Sequence, residues 1–134
     1  MTFEGQYLTY AEYRDLGGSA IGEMPFNLLE FEARRKIDTR TQDKLKKVDS
    51  SEIPQEVKLC VYSLINSIND YMESSKSVGT IANETTDGYS IGYITADRIS
   101  EVIRSKSVEL DDIIRTYLLG VVVNNEHIMF LGVN

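Results

Sequence analysis

The sequence predicts a mainly α-helical protein, a small bundle of about four helices with one inserted β-hairpin and an extended C-terminal arm. Apolar residues recur at steps of three and four over 54–72, and the same period returns over 96–119. Between these stretches, Asp87-Gly88 stands among alternating β-branched and aromatic residues, which is typical of a two-residue hairpin turn. We interpret 1–134 as one domain, because this length suffices for a single modest core.

Thr9 and Glu12 predict the start of a first, short helix. A threonine three residues before a glutamate forms a capping box, in which each side chain accepts a hydrogen bond from a free backbone N–H group. The helix is expected to run over 10–16, because Gly17-Gly18 then stops it.

A second helix is expected to have Pro25 in its first turn, where the fixed φ of proline suits the helix. Its apolar face carries Phe26, Leu29, Ala33 and Ile37. Charged side chains are expected mostly on the other faces, and they are Glu30, Glu32, Arg34, Arg35 and Lys36. We predict that this helix ends between Thr39 and Leu45 and that a polar loop covers 49–52.

The longest apolar pattern predicts a central helix that starts with Pro54 and fades over 73–76. Its main face carries Val57, Val61, Leu64, Ile68 and Tyr71, and this face is widened by Cys60, Ile65 and Met72. A stripe this wide indicates contact with more than one neighbour, so the other helices are expected to pack around this one.

The hairpin is predicted at about 78–94, with strands near 79–85 and 89–94. One of its faces carries Tyr89, Ile91 and Tyr93. An isolated two-stranded ribbon is only marginally stable in water. We therefore expect it to lean either on its own core or on a neighbouring subunit.

The stretch 96–119 keeps one apolar face and forms either one helix or two, with Ser107 as a candidate cap for the second. The last stretch, 120–134, is apolar at both of its ends and has Asn124-Asn125 between them. This segment is expected to be a second, short hairpin or an extended arm, and we favour the arm.

Composition excludes several classes of function. The net charge of -7 and the isoelectric point of about 4.7 do not suit a protein that binds nucleic acid through clustered Lys and Arg. No stretch approaches the ~20 apolar residues of a membrane span, and the N-terminus does not look like a secretory signal. The single cysteine excludes an internal disulfide and is compatible with a reducing compartment.

No group of residues predicts a catalytic, cofactor or metal site, and we expect a protein that is not an enzyme. His127 is interpreted as an exposed or edge-strand histidine, and Cys60 as a buried, inert thiol. Asp111-Asp112 does not converge on a metal, because adjacent helical residues point about 100° apart. Charge near the start of a helix explains this pair better.

The eight tyrosines, with no tryptophan, leave two interpretations open. Tyrosine rings bury area while they keep a polar tip, which suits protein interfaces. Tyr7, Tyr10 and Tyr13, which cluster near the first helix, equally suit the core of the domain itself.

Six segments in a fixed order span nearly the whole chain, and together they carry a resemblance to a known family. They are YLTYAEYRDLGG (7–18), FNLLEFEARRKIDTRTQDKL (26–45), IPQEVKLCVYSLINSI (53–68), DGYSIGY (87–93), IIRTYLLG (113–120) and FLGV (130–133). In these segments the chain resembles the head-tail connector, or head-completion adaptor, proteins of long-tailed bacteriophages and prophages. It departs from the pattern over 94–107, which is longer and more helical, and at Phe130-Leu131, which replaces basic or aromatic residues.

The resemblance implies a structural virion protein that forms a ring beneath the portal of the filled capsid. The ring extends the DNA channel and docks the next head-completion or tail protein, so DNA is only passing cargo and no membrane is involved. The expected location is the head-tail interface of the virion, after assembly in the bacterial cytoplasm. Before assembly the chain waits either as monomers or as preformed rings.

The candidate interface residues lie outside the predicted helices. Tyr89, Ile91 and Tyr93 are expected to meet a neighbouring subunit or the portal. The arm residues Phe130, Leu131 and Val133 are expected to anchor on a partner.

Two other interpretations remain open. In the first, the chain is a non-enzymatic helical protein-interaction or regulatory module of bacterial origin, and the hairpin packs on its own core. In the second, the chain is a small enzyme with an unrecognised site, which the lack of a histidine-, cysteine- or carboxylate-centred group disfavours.

Overall fold

A computed structural model of the protein describes residues 5–18, 21–79, 96–123 and 126–129. These ranges are mainly helical, which confirms the predicted fold class at that level. The α-helices in them are α1 (Tyr10–Asp15), α2 (Glu23–Thr41), α3 (Gln55–Gly79), α4 (Ala96–Ser105) and α5 (Ser107–Leu118). Two 3-10 turns, Lys44–Lys47 and Ser50–Glu52, lie between α2 and α3, where a frayed helix end and a loop were predicted.

Helix α3 is the centre of the bundle, as predicted, because α2, α4 and α5 all pack against it. Its buried face consists of Val57, Cys60, Val61, Leu64, Ile65, Ile68 and Met72. Each fully buried Val, Leu or Ile contributes roughly 1.5–3 kcal/mol to the stability of the bundle. The assignment of Tyr71 to this face is wrong, since Tyr71 is 37% exposed and its ring lies under the Lys106 ammonium, with Nζ 4.1 Å from the ring centroid.

The start of α1 confirms the predicted capping box. The Thr9 hydroxyl accepts a hydrogen bond from the Glu12 N–H (3.2 Å), and the Glu12 carboxylate accepts one from the Thr9 N–H (2.9 Å). The helix ends at Asp15, and Gly17 follows with a φ of +91°, a conformation that glycine adopts without strain.

Helix α2 buries the predicted apolar face and carries Pro25 in its first turn. It ends within the predicted interval, at Thr41, because the next two residues leave the helical region. Gln42 and Asp43 have φ values of 54° and 62°, which are left-handed conformations that cannot continue a right-handed helix.

The stretch 96–119 forms two helices that are separated at Lys106. The Ser105 hydroxyl donates to the Val102 carbonyl (3.1 Å), and Lys106 has the non-helical angles φ -112° and ψ 21°. The predicted cap at Ser107 is wrong, because Ser107 is already the first residue of α5 and Lys106 occupies the cap position without a side-chain hydrogen bond. The buried face continues through this break with Ile99, Val102, Leu110, Ile114 and Leu118.

The C-terminal segment is not an extended arm over the described residues 121–123 and 126–129. Strand β1 (Val122–Val123) pairs antiparallel with β2 (Glu126–His127), so the alternative of a second, short hairpin is closer to the structure. Ile128 and Met129 follow and are buried in the core. The chain folds back because these apolar side chains gain more from burial than from an extended path through water.

The predicted hairpin at 78–94 is wrong at its start. Helix α3 continues to Gly79, so residues 78 and 79 belong to the helix. The remainder of the hairpin prediction, residues 80–94, lies outside the described residues.

Candidate interaction surfaces

The six predicted interface residues lie outside the described parts of the chain. They are Tyr89, Ile91, Tyr93, Phe130, Leu131 and Val133. The structure does define the point from which Phe130, Leu131 and Val133 follow. The Lys44 ammonium donates to the His127 carbonyl (2.9 Å), and the Ile128 N–H donates to the Val121 carbonyl (3.1 Å), so the chain is held to the bundle up to the residue before Phe130.

A buried carboxylate on α2 holds the segment that precedes α1. Glu30 is fully buried, and its Oε2 accepts a hydrogen bond from the Tyr7 N–H (2.9 Å). Arg34 Nε lies 3.3 Å from Glu30 Oε1, close enough for an ion pair but not in hydrogen-bond geometry. Burial raises the pKa of Glu30 to about 7, although the Arg34 charge acts in the opposite direction.

The charged residues of α2 were expected mostly away from its apolar face, and Glu30 is an exception. Positions 26, 30 and 33 are one helical turn apart, so Glu30 shares the side of α2 that holds Phe26 and Ala33. That side is covered by residues 6–8, which are buried against it.

A second polar contact in the same region joins Tyr7 to Asp38. The Tyr7 hydroxyl donates to Asp38 Oδ1 at 2.5 Å. Burial and this hydrogen bond raise the pKa of Tyr7, and burial also raises the pKa of Asp38. The two groups border a cavity of about 320 Å³ between the N-terminal segment and the turn after α2. Because the hydroxyl and the carboxylate bind each other, they serve to fix the N-terminal segment on α2.

The tyrosines near α1 belong to the core, so the interface interpretation is wrong for this cluster. Tyr13 is fully buried, and its ring lies 5.1 Å from that of Phe26 and 5.4 Å from that of Tyr62. Its hydroxyl donates to Asn66 Oδ1 (2.7 Å), which satisfies the polar tip inside the bundle. Tyr7 is also buried, and Tyr10 is half-buried.

The reactive side chains considered in the sequence, Cys60 and His127, do not form a catalytic or metal site in the described ranges. Cys60 is fully buried, and burial raises the pKa of its thiol to about 12. His127 is exposed in β2, as predicted. Within the described ranges, no three His, Cys, Asp or Glu side chains are grouped closely enough to hold a metal ion.

Asp111 has a role that the sequence analysis missed. Its carboxylate accepts hydrogen bonds from the Arg40 guanidinium and forms an ion pair with the Lys36 ammonium (3.1 Å), which links α5 to α2. Partial burial alone would raise the pKa of Asp111, but the hydrogen bonds from Arg40 and Lys36 lower it. Helix N-terminal charge is therefore an incomplete explanation of this residue.

One exposed apolar surface lies on the outward side of α2. We call it the α2 face, and it consists of Met24, Leu28, Phe31, Glu32, Arg35 and Thr39. Met24 is 48% exposed and Phe31 is 38% exposed. The guanidinium groups of Arg34 and Arg35 lie 5.4 and 5.8 Å from the Phe31 ring centroid. Methionine, aromatic residues and arginine are enriched in protein interfaces.

A second exposed surface lies on the outward side of α5 and just beyond its end. We call it the α5 face, and it consists of Val108, Asp112, Arg115, Leu119 and Val122. Val108 is 75% exposed, Leu119 47% and Val122 50%. The spacing of four, three and four residues from 108 to 119 marks one side of a helix, opposite the buried Leu110, Ile114 and Leu118. This spacing was the available signal for the α5 face.

Comparisons with known protein families, with curated proteins and with solved structures find no match for this chain. In the described ranges, no helix has the combination of length and apolar character that crossing a bilayer requires.

Proposed function

We propose that this protein is a head-tail connector of a long-tailed bacteriophage or prophage. It forms a ring between the portal of the capsid and the tail or the next head-completion protein, and it extends the channel through which DNA passes. It acts by assembly and not by catalysis. In this proposal it reaches the head-tail interface of the virion after assembly in the bacterial cytoplasm.

The observation that carries the proposal is the order of six family-like segments along almost the whole chain. The segments at 7–18, 26–45, 53–68 and 113–120 include all of α1, most of α2, about the first half of α3 and the second half of α5. The resemblance implies a mainly helical domain, and the described residues have that character.

Two further properties of the molecule support the proposal. The α2 face and the α5 face are two different surfaces, and a ring of identical subunits needs two different surfaces that fit each other. The net charge of -7 suits a channel wall, since an acidic lining repels DNA and lets it slide.

The predicted interface residues keep their roles within this proposal. Tyr89, Ile91 and Tyr93 contact a neighbouring subunit or the portal. Phe130, Leu131 and Val133 reach a partner from a fixed starting point, because Ile128 and Met129 are buried in the bundle just before them.

The test is binding to the portal ring that is encoded in the same genome. The purified chain is mixed with portal rings, and the mixture is analysed by sedimentation and negative-stain electron microscopy. We expect comigration and a second annular layer on the portal. A double variant, Tyr89→Ala with Tyr93→Ala, is expected to bind at least tenfold more weakly, because aromatic residues dominate interface energies. Tyr71→Ala, which alters an exposed tyrosine of the bundle, is the matched control.

Two results would contradict the proposal. If the chain never binds the portal ring, the connector function is wrong, and an interaction or regulatory module remains. If the double variant binds as well as the original chain, the connector function stands, but the role of the two tyrosines is wrong.

A further inference from the structure

We infer that the α2 face of one copy of this chain packs antiparallel on the α5 face of the next copy, and that this contact closes the ring. The inference rests on the proposed function, because it assigns the self-contact that the ring needs. Five of the seven exposed large apolar side chains in the described ranges lie on these two faces. They are Met24, Phe31, Val108, Leu119 and Val122.

The two faces point outward from one helical bundle. Helices α2 and α5 both pack on α3, and Asp111 of α5 joins Lys36 and Arg40 of α2 along the flank between the faces. These ion pairs lie between α2 and α5 of the same molecule. Among the described residues, these links lie beside the two outward faces and not on them.

The charges on the two faces have the same order and spacing. On α2 the acidic Glu32 precedes the basic Arg35 by three residues, and on α5 the acidic Asp112 precedes the basic Arg115 by three. When two such helices run antiparallel, Glu32 meets Arg115 and Arg35 meets Asp112. Opposite charges that face each other fix the register of an interface, and like charges that face each other disfavour the wrong one.

The same register also matches the apolar residues. It places the half-buried Leu28 opposite Leu119, at the end of α5. At the other end it places Thr39 opposite Val108. Apolar contacts therefore flank the two charge pairs, which is the arrangement that excludes water from them.

A two-fold pairing of either face with itself also matches the charges, but it covers less surface. Pairing α5 with α5 leaves Met24 and Phe31 exposed, and pairing α2 with α2 leaves Val108, Leu119 and Val122 exposed. Only the contact between different faces covers all five side chains at once. Such a contact repeats from copy to copy and closes when its rotation divides a circle.

The test uses cysteine cross-linking at one predicted contact. Thr39 and Val108 are both exposed, so Thr39→Cys and Val108→Cys leave the core intact, and the native Cys60 is buried. Under mild oxidation we expect a cross-linked pair when the two variants are mixed, and none from either variant alone. A chain that carries both substitutions is expected to give a ladder of oligomers. The experiment is run on the chain alone at high concentration and on the chain bound to portal rings.

Charge reversal tests the register. Arg35→Glu and Asp112→Arg are each expected to lower the mixed cross-link about tenfold, and the two together are expected to restore it. Lys47→Glu is the control for Arg35→Glu, because it makes the same change in net charge at an exposed site outside both faces.

Two other cross-linking results overturn the inference. A cross-link from Val108→Cys alone would show a two-fold contact between α5 helices, and the lack of a mixed cross-link in both settings would remove the contact altogether. If the chain binds the portal but no mixed cross-link forms, only this inference fails. If the cross-link forms but the portal is never bound, the connector function fails and the contact stands.

Discussion

Replacement of Glu30 by glutamine is expected to change how the stability of the fold depends on pH. The pKa of Glu30 is about 7 in the folded protein, against an ordinary value of 4.5. Between these two values the folded state keeps a proton that the unfolded state has lost. Stability from this group is therefore complete below about pH 4.5 and is lost as the pH rises through 7. At about 1.4 kcal/mol per pH unit, the loss amounts to about 3 kcal/mol.

Glutamine at position 30 keeps an oxygen that can accept the hydrogen bond from the Tyr7 N–H, but it does not titrate. The free energy of unfolding is measured by urea denaturation at several values from pH 5 to pH 8, for the original chain and for Glu30→Gln. We expect the original chain to lose most of the 3 kcal/mol relative to the variant over this range. Subtraction of the two curves removes the contributions of the other carboxyl groups, which both chains share.

Glu32→Gln is the matched control, because position 32 is on the same helix but is not fully buried. The loss of stability between pH 5 and pH 8 is expected to persist in this variant, because Glu30 is unchanged in it. A difference between the original chain and Glu30→Gln that stays flat from pH 5 to pH 8, or that grows in favour of the original chain, would refute the account of the buried carboxyl.

Three further substitutions test the packing, each by urea denaturation. Gly18→Ala is expected to cost about 1–3 kcal/mol, because its Cβ would lie 2.4 Å from the buried Tyr13 ring, and an unchanged stability would contradict this. Tyr13→Phe should cost about 1 kcal/mol, because Asn66 loses its donor, and a neutral result would contradict the hydrogen bond. Asp111→Asn should cost about 0.5–1 kcal/mol at pH 7, since it weakens the link to Arg40. That cost should shrink as the pH falls through the lowered pKa of Asp111, so a pH-independent cost would contradict the ion pair.

The helices could be predicted because their signals are local. The apolar period of α3 and the capping box at Thr9 depend only on neighbouring residues, and both are present in the structure. The end of α2 at Thr41 was predicted only as an interval, because Gln42 and Asp43 leave the helical region without a glycine to signal it.

The errors concern contacts between residues that are distant along the chain. Nothing near Glu30 in the sequence indicates that residues 6–8 cover it, and Asp111 is 71 residues away from Arg40. The sequence of 120–134 does not indicate that Ile128 and Met129 pack into the core, so the burial that bends this segment back could not be predicted. The α5 face differs, since its spacing is visible in the sequence beside the buried side of the same helix.

The most direct test of the connector function is electron microscopy of DNA-filled heads purified from the phage or prophage that would encode this chain under the proposed function, with a tag on the chain. We expect the tag to mark a single ring at the portal vertex, between the portal and the tail or the next head-completion protein. Heads that carry a complete portal vertex but no tagged chain would contradict the proposed function.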